Sequence, residues 1–256
     1  MALTRLFAVG LGCGLLASTG CTVYAPMQPL MPLVRQRGQL EAGASTQFTG
    51  RVEATGAYSP VRRVVLTAGG TLAPKLGDRY FLVTRQYEVG AGLYQPLGPR
   101  WLLSGLAGYG QAYCRRGYVD LGIFGPGVYS EYEAAYAKRF GQLGIAYGED
   151  SRAISLTYRL VRINFDYLRD ADYGPLPLPA MTRHELALSN RLGFGARPTP
   201  RWLLTSAVGL SLSGTARLDD TGTSSPYHVV YEANRNLLPA FFMSLGVVFR
   251  PARTRQ

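Results

Sequence analysis

The side chains with the plainest chemical reach in this sequence are His184, His228 and Cys114. His184 is followed by Glu185 and, five positions after itself, by Ser189. A base, an acid and a hydroxyl nucleophile so close together invite comparison with lipid hydrolases built into membranes. The run that holds them alternates apolar and polar residues and so reads as a strand, where residues five apart face opposite sides. A nucleophile and its base must lie within hydrogen-bond reach, so the spacing argues against hydrolysis. His228 with Glu232 and Asp219 makes a thin ligand set for a metal, and no cysteines stand at zinc spacing. Cys114 precedes Arg115 and Arg116, which could favour a thiolate. A lone thiol at a strand end nonetheless reads as inert. No glycine-rich phosphate loop joins a strand to a helix. The expectation is a non-enzymatic protein with no catalytic residue, no metal and no cofactor.

The charged side chains are more informative. Glu41, Arg51, Glu53, Arg63, Glu88, Arg159, Glu185 and Arg191 all fall on the polar phase of alternating runs. If those runs close on themselves, the eight charges project into one interior. Unpaired there they would be costly, so they are expected to pair across neighbouring strands. Such a lining is either a salt-bridged filling that stiffens the interior or the wall of a narrow selective pore.

The elements that must carry these residues recur about ten times between Leu40 and Phe249. Each is a run of alternating apolar and polar residues closed by a turn. In the last, Phe241, Met243, Leu245, Val247 and Phe249 share one face, with Ser244, Gly246 and Val248 on the other. Earlier runs set Leu40, Ala42 and Ala44 against Glu41 and Gln47, and Leu186, Leu188 and Leu192 against Glu185 and Arg191. The glycine-rich run from Trp101 has no clear phase. The run from about Tyr129 to Tyr147 reads as changing phase between Phe140 and Leu143, which predicts a bulge there. The next run reads as slipping near Val161.

The fold class expected is all-β, a closed antiparallel up-and-down membrane β-barrel of about ten strands (eight to twelve). No stretch beyond the N-terminus approaches the roughly 18 apolar residues of a spanning helix, whereas a tilted membrane strand needs roughly 9–11 residues.

The N-terminus has its own signature. Arg5, the apolar block Leu6 to Ala17 and the small residues after it read as a secretory signal. The sequence Leu15-Leu16-Ala17-Ser18-Thr19-Gly20-Cys21 resembles the lipobox of bacterial lipoproteins, in which the cysteine becomes the lipidated N-terminus. Residues 22 to 37, with Pro26, Pro29 and Pro32, read as an extended tether. The expected organisation is a removed signal peptide over 1–20, a lipidated tether over 21–37, the barrel over 38–250 and a tail over 251–256. With Cys13 discarded and Cys21 lipidated, Cys114 has no disulfide partner.

With that tether on the periplasmic side, the connections sort by parity. The turns 59–62, 95–100, 148–152 and 197–201 are short. Of the opposite ones, 115–128, 168–183 and 218–239 are long, and 49–50 and 73–78 are not. Short periplasmic turns and long external loops are the outer-membrane pattern. Pro99-Arg100-Trp101-Leu102-Leu103 recurs as Pro200-Arg201-Trp202-Leu203-Leu204, so Trp101 and Trp202 mark one membrane interface.

The formal charge of +11 comes from 27 Lys and Arg against 16 Asp and Glu. The arginines are scattered with no run beyond two, unlike a nucleic-acid footprint, so nucleic acid is excluded as a partner. Outer-membrane lipids and the phosphates of lipopolysaccharide suit scattered arginines better. Barrel-assembly machinery is expected during biogenesis.

The chain resembles the uncharacterised outer-membrane β-barrel-like lipoproteins of Bacteroidetes-type bacteria. The resemblance rests on Cys21 with Tyr24-Ala25-Pro26, on Pro32-Leu33-Val34 and on Arg37-Gly38-Gln39-Leu40-Glu41. It resumes at Gly90-Ala91-Gly92-Leu93-Tyr94, at Phe140 with Gln142 and Ile145, and at Arg159 with Asn164-Phe165, while Leu143 departs from the proline expected there. It implies a barrel with an N-terminal lipid and carries no catalytic residue over. The reading is therefore an outer-membrane barrel lipoprotein of a Gram-negative bacterium, anchored on the periplasmic side, with a structural, surface-interacting or narrow-pore role. One rival is a periplasmic lipocalin-like lipoprotein carrying an apolar ligand, which would need apolar residues inside. The other is a lipid-modifying outer-membrane enzyme.

Overall fold

The computed structural model describes residues 22–120, 128–194, 200–218 and 227–251. Cys21 lies outside them. In chain order the elements are β1 (Leu40–Gln47), β2 (Val52–Tyr58), β3 (Val64–Ala73), β4 (Phe81–Leu97), β5 (Trp101–Asp120) and β6 (Val128–Glu149). There follow β7 (Arg152–Asp170), the two-residue β8 (Gly174–Pro175), β9 (Ala180–Gly193), β10 (Trp202–Ser213), a helix α1 (Tyr227–Arg235) and β11 (Ala240–Phe249).

Each long strand pairs antiparallel with the next, β7 passing over β8 to reach β9. The first and last strands then meet, from Ala42 opposite Phe249 to Gln47 opposite Ser244. Ten long strands thus form a closed up-and-down barrel with no free edge. The alternation decides which side faces in. On β7, Ile154, Leu156, Tyr158 and Leu160 are exposed, whereas Ser155, Thr157, Arg159 and Val161 are buried. Every long strand carries some of this outward apolar set, including Leu40, Val52, Leu66, Val89, Leu103, Leu143, Leu188, Trp202 and Leu245.

The strands at one side are tall. β5, β6 and β7 have 20, 22 and 19 residues, about twice what a bilayer needs. Much of what read as loops around 115–128 and 168–183 is therefore wall. Along β6 the alternation never breaks: Lys138, Phe140 and Gln142 face in and Leu143 faces out. The bulge expected between Phe140 and Leu143 is absent because Phe140 is an apolar residue buried on the inner face. The irregularity lies in β7 instead, where Tyr136 pairs with Phe165 and Ala135 with Tyr167, leaving Asp166 as the extra residue. β5 settles with Leu102, Ser104, Leu106 and Cys114 inward and Trp101, Leu103 and Tyr109 outward. One end has short turns, such as the three residues Gly98–Arg100, where Gly98 takes φ 74°. The other end carries the long connections and α1, a helix the alternating pattern did not announce.

Candidate functional site

The interior is the site, and its main occupant is the chain's own N-terminal segment. Residues 22–34 run through the barrel, with Thr22, Val23, Tyr24, Met27, Met31 and Val34 almost fully buried. At the end with long connections, Thr22 donates to the Asn236 carbonyl at 2.9 Å and Arg116 donates to the Thr22 carbonyl at 3.1 Å. At the end with short turns, Arg35 donates to the Arg100 and Gly148 carbonyls at 3.0 and 3.1 Å. The chain then turns back to start β1. Thus the segment expected as a tether crosses the whole lumen. Thr22 sits at the long-connection end.

The wall recognises this segment through its backbone. Gln86 donates to the Ala25 carbonyl at 2.9 Å, Arg159 to Met27 at 2.9 Å, Gln142 to Leu30 at 2.7 Å and Arg191 to Met31 at 2.8 Å. Arg51 donates to the Pro26 carbonyl. In return, the Gln28 and Leu33 amides donate to Glu53 at 3.2 Å and Glu41 at 3.1 Å. The composition explains the arrangement. Pro26, Pro29 and Pro32 have no N–H, so the segment offers more acceptors than donors, and arginine is a donor only.

The same arginines hold the wall together. Arg159 meets Glu185 at 2.7 Å and Glu88 at 2.8 Å, and Lys138 meets Glu88 at 2.6 Å. Arg191 and Arg250 clamp Glu41 at 3.0 and 2.7 Å, and Arg51 meets Glu53 at 3.1 Å. The Tyr24 hydroxyl, carried in on the segment, donates to Glu185 at 2.6 Å. Arg183 donates to Ser211 and to the Leu238 carbonyl at 3.1 and 3.0 Å. Apolar clusters flank this belt. One, towards α1, gathers Val23, Cys114, Tyr132, Ile163, Met181 and Leu237. The other, towards the short turns, gathers Met31, Leu33, Val65, Tyr94 and Leu102.

Of the eight charges expected inside, Glu41, Arg51, Glu53, Glu88, Arg159, Glu185 and Arg191 are buried and face the segment or one another. Arg63 does not join them. It is exposed in the β2–β3 turn at φ 67°, because the chain reverses there before the inward phase of β3 begins at Val65. Lys138, Arg183 and Arg250 were missed. The apparent phase change hides Lys138, and the other two lie near strand ends, where too few alternating neighbours remain to set a phase.

His184 and Ser189 lie on opposite sides of the wall. The Tyr158 hydroxyl is 2.7 Å from His184 Nδ1 outside, and Ser189 Oγ is 2.6 Å from Ser155 Oγ inside. Cys114 is buried in the cluster towards α1. Among the described residues no group of three or more His, Cys, Asp or Glu gathers to hold a metal ion. Trp101 and Trp202 both face out at the short-turn end, their rings 4.8 Å from Tyr147 and 4.7 Å from Phe249.

Fold and site together define a closed antiparallel barrel with an apolar outside, a charged inside and its own chain through the middle. No protein-family model matches the sequence. No curated protein matches it either. Among solved structures, the chain is similar to the translocator domain of the autotransporter NalP from Neisseria meningitidis, at 11% identity over 98% of each chain with a TM-score of 0.38. It is also similar to the NanC porin, at 11% identity over 82% of this chain and 98% of that one with a TM-score of 0.34. A third is Acinetobacter baumannii CarO2, at 13% identity over 84% of this chain and 100% of that one with a TM-score of 0.27.

Proposed function

We propose that this protein is an outer-membrane β-barrel with a non-enzymatic role, closed by its own N-terminal segment and carrying that segment from one side of the membrane to the other. The observation that carries this reading is the inversion of the usual pattern. Large apolar side chains ring the outside, and the charges are paired within. A soluble protein seldom exposes an apolar patch beyond a few hundred Å², whereas lipid requires such a surface. The aromatic pairs at Trp101 and Trp202 suit a membrane interface, and short turns on that side suit the periplasm.

A carrier of apolar ligands would need the opposite lining, and here the interior holds ion pairs and residues 22–34. A lipid hydrolase at His184 would need a nucleophile on its own side of the wall. Acylation of Cys21 belongs to this reading, and Thr22, the residue that follows it in sequence, is buried at the end that bears α1.

Outer-membrane fractionation followed by gel mobility with and without heating tests the proposal. The intact protein is expected in the outer-membrane fraction, running as a compact species until boiled. Release by an alkaline wash without detergent would overturn it.

A further inference from the structure

The apolar outer surface ends abruptly at two arginines that face each other. Arg139 on β6 is directly opposite Arg162 on β7, and both point outward. Like charges directly across a strand pair repel, so such a pair favours an anion between or beside them. Among the described residues neither forms an ion pair. Arg162 is held by Thr182 Oγ1 at 3.1 Å. The nearest carboxylates along these strands, Asp166 and Glu133, lie four and six residues further towards the long connections, and Glu133 is already taken by Arg169 at 2.6 Å.

Position gives the pair its meaning. From the girdle residue Tyr147 to Arg139, and from its partner Ile154 to Arg162, each stretch is nine residues inclusive. That is about one bilayer crossing for a tilted strand. Below the pair lie Leu143, Ile145, Leu156 and Leu160, all exposed. Above it the outward face turns to charge, with Glu133 accepting from Tyr113, Tyr167 and Arg169. The residue two beyond Arg139 on the apolar side is Gly141, where even a methyl would meet nothing, so the floor beside the pair is open.

We infer that Arg139 and Arg162 seat a phosphate of a phosphorylated glycolipid of the outer leaflet, whose acyl chains lie along Leu143, Leu156 and Leu160. Guanidinium groups hold phosphate through paired, charge-assisted hydrogen bonds, and apolar strands supply the surface for the chains. This inference rests on the membrane reading above, with the long connections outward.

The test uses the full-length barrel in detergent, with binding followed by native mass spectrometry. The probes are bisphosphorylated lipid A, the same lipid stripped of phosphate, and phosphatidylglycerol. Wild-type protein is expected to retain bisphosphorylated lipid A in preference to the other two. In R139Q/R162Q its affinity is expected to fall at least about tenfold, as loss of charged hydrogen bonds implies, while R100Q, at the opposite rim, should bind as wild type does. Undiminished binding by R139Q/R162Q would overturn the site, as would equal retention of the dephosphorylated lipid or of phosphatidylglycerol. Heat-dependent mobility on the same samples separates the failures. A wild type without the compact species overturns the membrane reading and the site together, whereas a compact barrel with phosphate-independent binding overturns the site alone.

Discussion

At the scale of single residues, Arg159 concentrates the interior's risk. Its three nitrogens reach Glu185, Glu88 and the Met27 carbonyl, and its side chain is almost wholly shielded. Removing one partner of a buried ion pair leaves the other charged and dry, which costs about 3–5 kcal/mol. Arg159→Leu strands Glu185 with only Tyr24 as donor. It is expected to lower the heating temperature at which the compact gel species is lost, far more than Arg152→Leu, an exposed change at the start of the same strand. A second residue-scale dependence is the pairing of inward glycine with inward phenylalanine. Gly209 is opposite Phe242 and Gly108 is opposite Phe140, and a methyl on either glycine would overlap the facing ring. Gly209→Val is expected to cost about 1–3 kcal/mol by overpacking. The same thermal measurement on Gly209→Val with Phe242→Ala should recover part of that loss, because the two sites share one space.

At the scale of elements, the bulge at Asp166 sets which residues of the upper wall face in. Before it, Ile163 is buried; after it, Leu168 and Asp170 are. Asp170 accepts the Asp172 and Tyr173 amides at 2.8 and 3.0 Å and so shapes the turn into β8. Deleting Asp166 removes the extra residue and leaves a regular ladder in which Leu168 and Asp170 still face in, so proteolysis of residues 170–180 is expected to stay at the wild-type rate. An alanine inserted after Tyr167 instead turns Leu168 and Asp170 outward, with an expected loss of roughly 2–4 kcal/mol from exposed leucine and a broken turn and faster proteolysis of residues 170–180 than in wild type. This element also shows how far alternation can be read. Strands such as β1, β9 and β11 were legible because most of their large apolar residues face out and their charged residues face in. β6 misled because Phe140 packs inside, under the Arg159 guanidinium at 5.1 Å from its ring centre. Residues 22–34 misled for the opposite reason. Prolines suggested an exposed tether, yet the stretch Thr22 to Val34 has no charged residue at all. A solvated linker is seldom that apolar, and this was the available sign of burial. Its route through the barrel was beyond reach, because that depends on donors spread over β4, β5, β6, β7 and β9 and on Arg51 just before β2.

At the scale of the whole molecule, barrel and segment are held by different bonds, and that separates their fates. The wall is closed by ten antiparallel ladders that the segment does not enter. Its charges are paired mostly with one another: Arg159 with Glu88 and Glu185, Arg191 and Arg250 with Glu41, Arg51 with Glu53. Without residues 22–34, the wall donors lose carbonyl acceptors but keep their carboxylates, and water entering the vacated space can take up the remaining donors. A variant lacking 22–34 is therefore expected to assemble as a heat-modifiable barrel, with lower thermal resistance than the intact chain because the apolar contacts of Val23, Tyr24, Met31 and Val34 are gone. Its lumen should conduct. Along the vacated path the wall carries Arg51, Lys138, Arg159, Arg183, Arg191 and Arg250, six cations, against Glu41, Glu53, Glu88 and Glu185, four carboxylates, while the other two buried carboxylates, Asp170 and Glu232, sit at the end with the long connections, on the last residue of β7 and on α1. The local excess of two positive charges along that path favours anions. In planar bilayers the intact protein is expected to stay closed, and the shortened one to give discrete steps with a reversal potential shifted towards that of chloride in a salt gradient. Equal conductance from both proteins would show that the segment does not seal the barrel, and cation preference in the shortened one would mean that the wall arginines do not set the field.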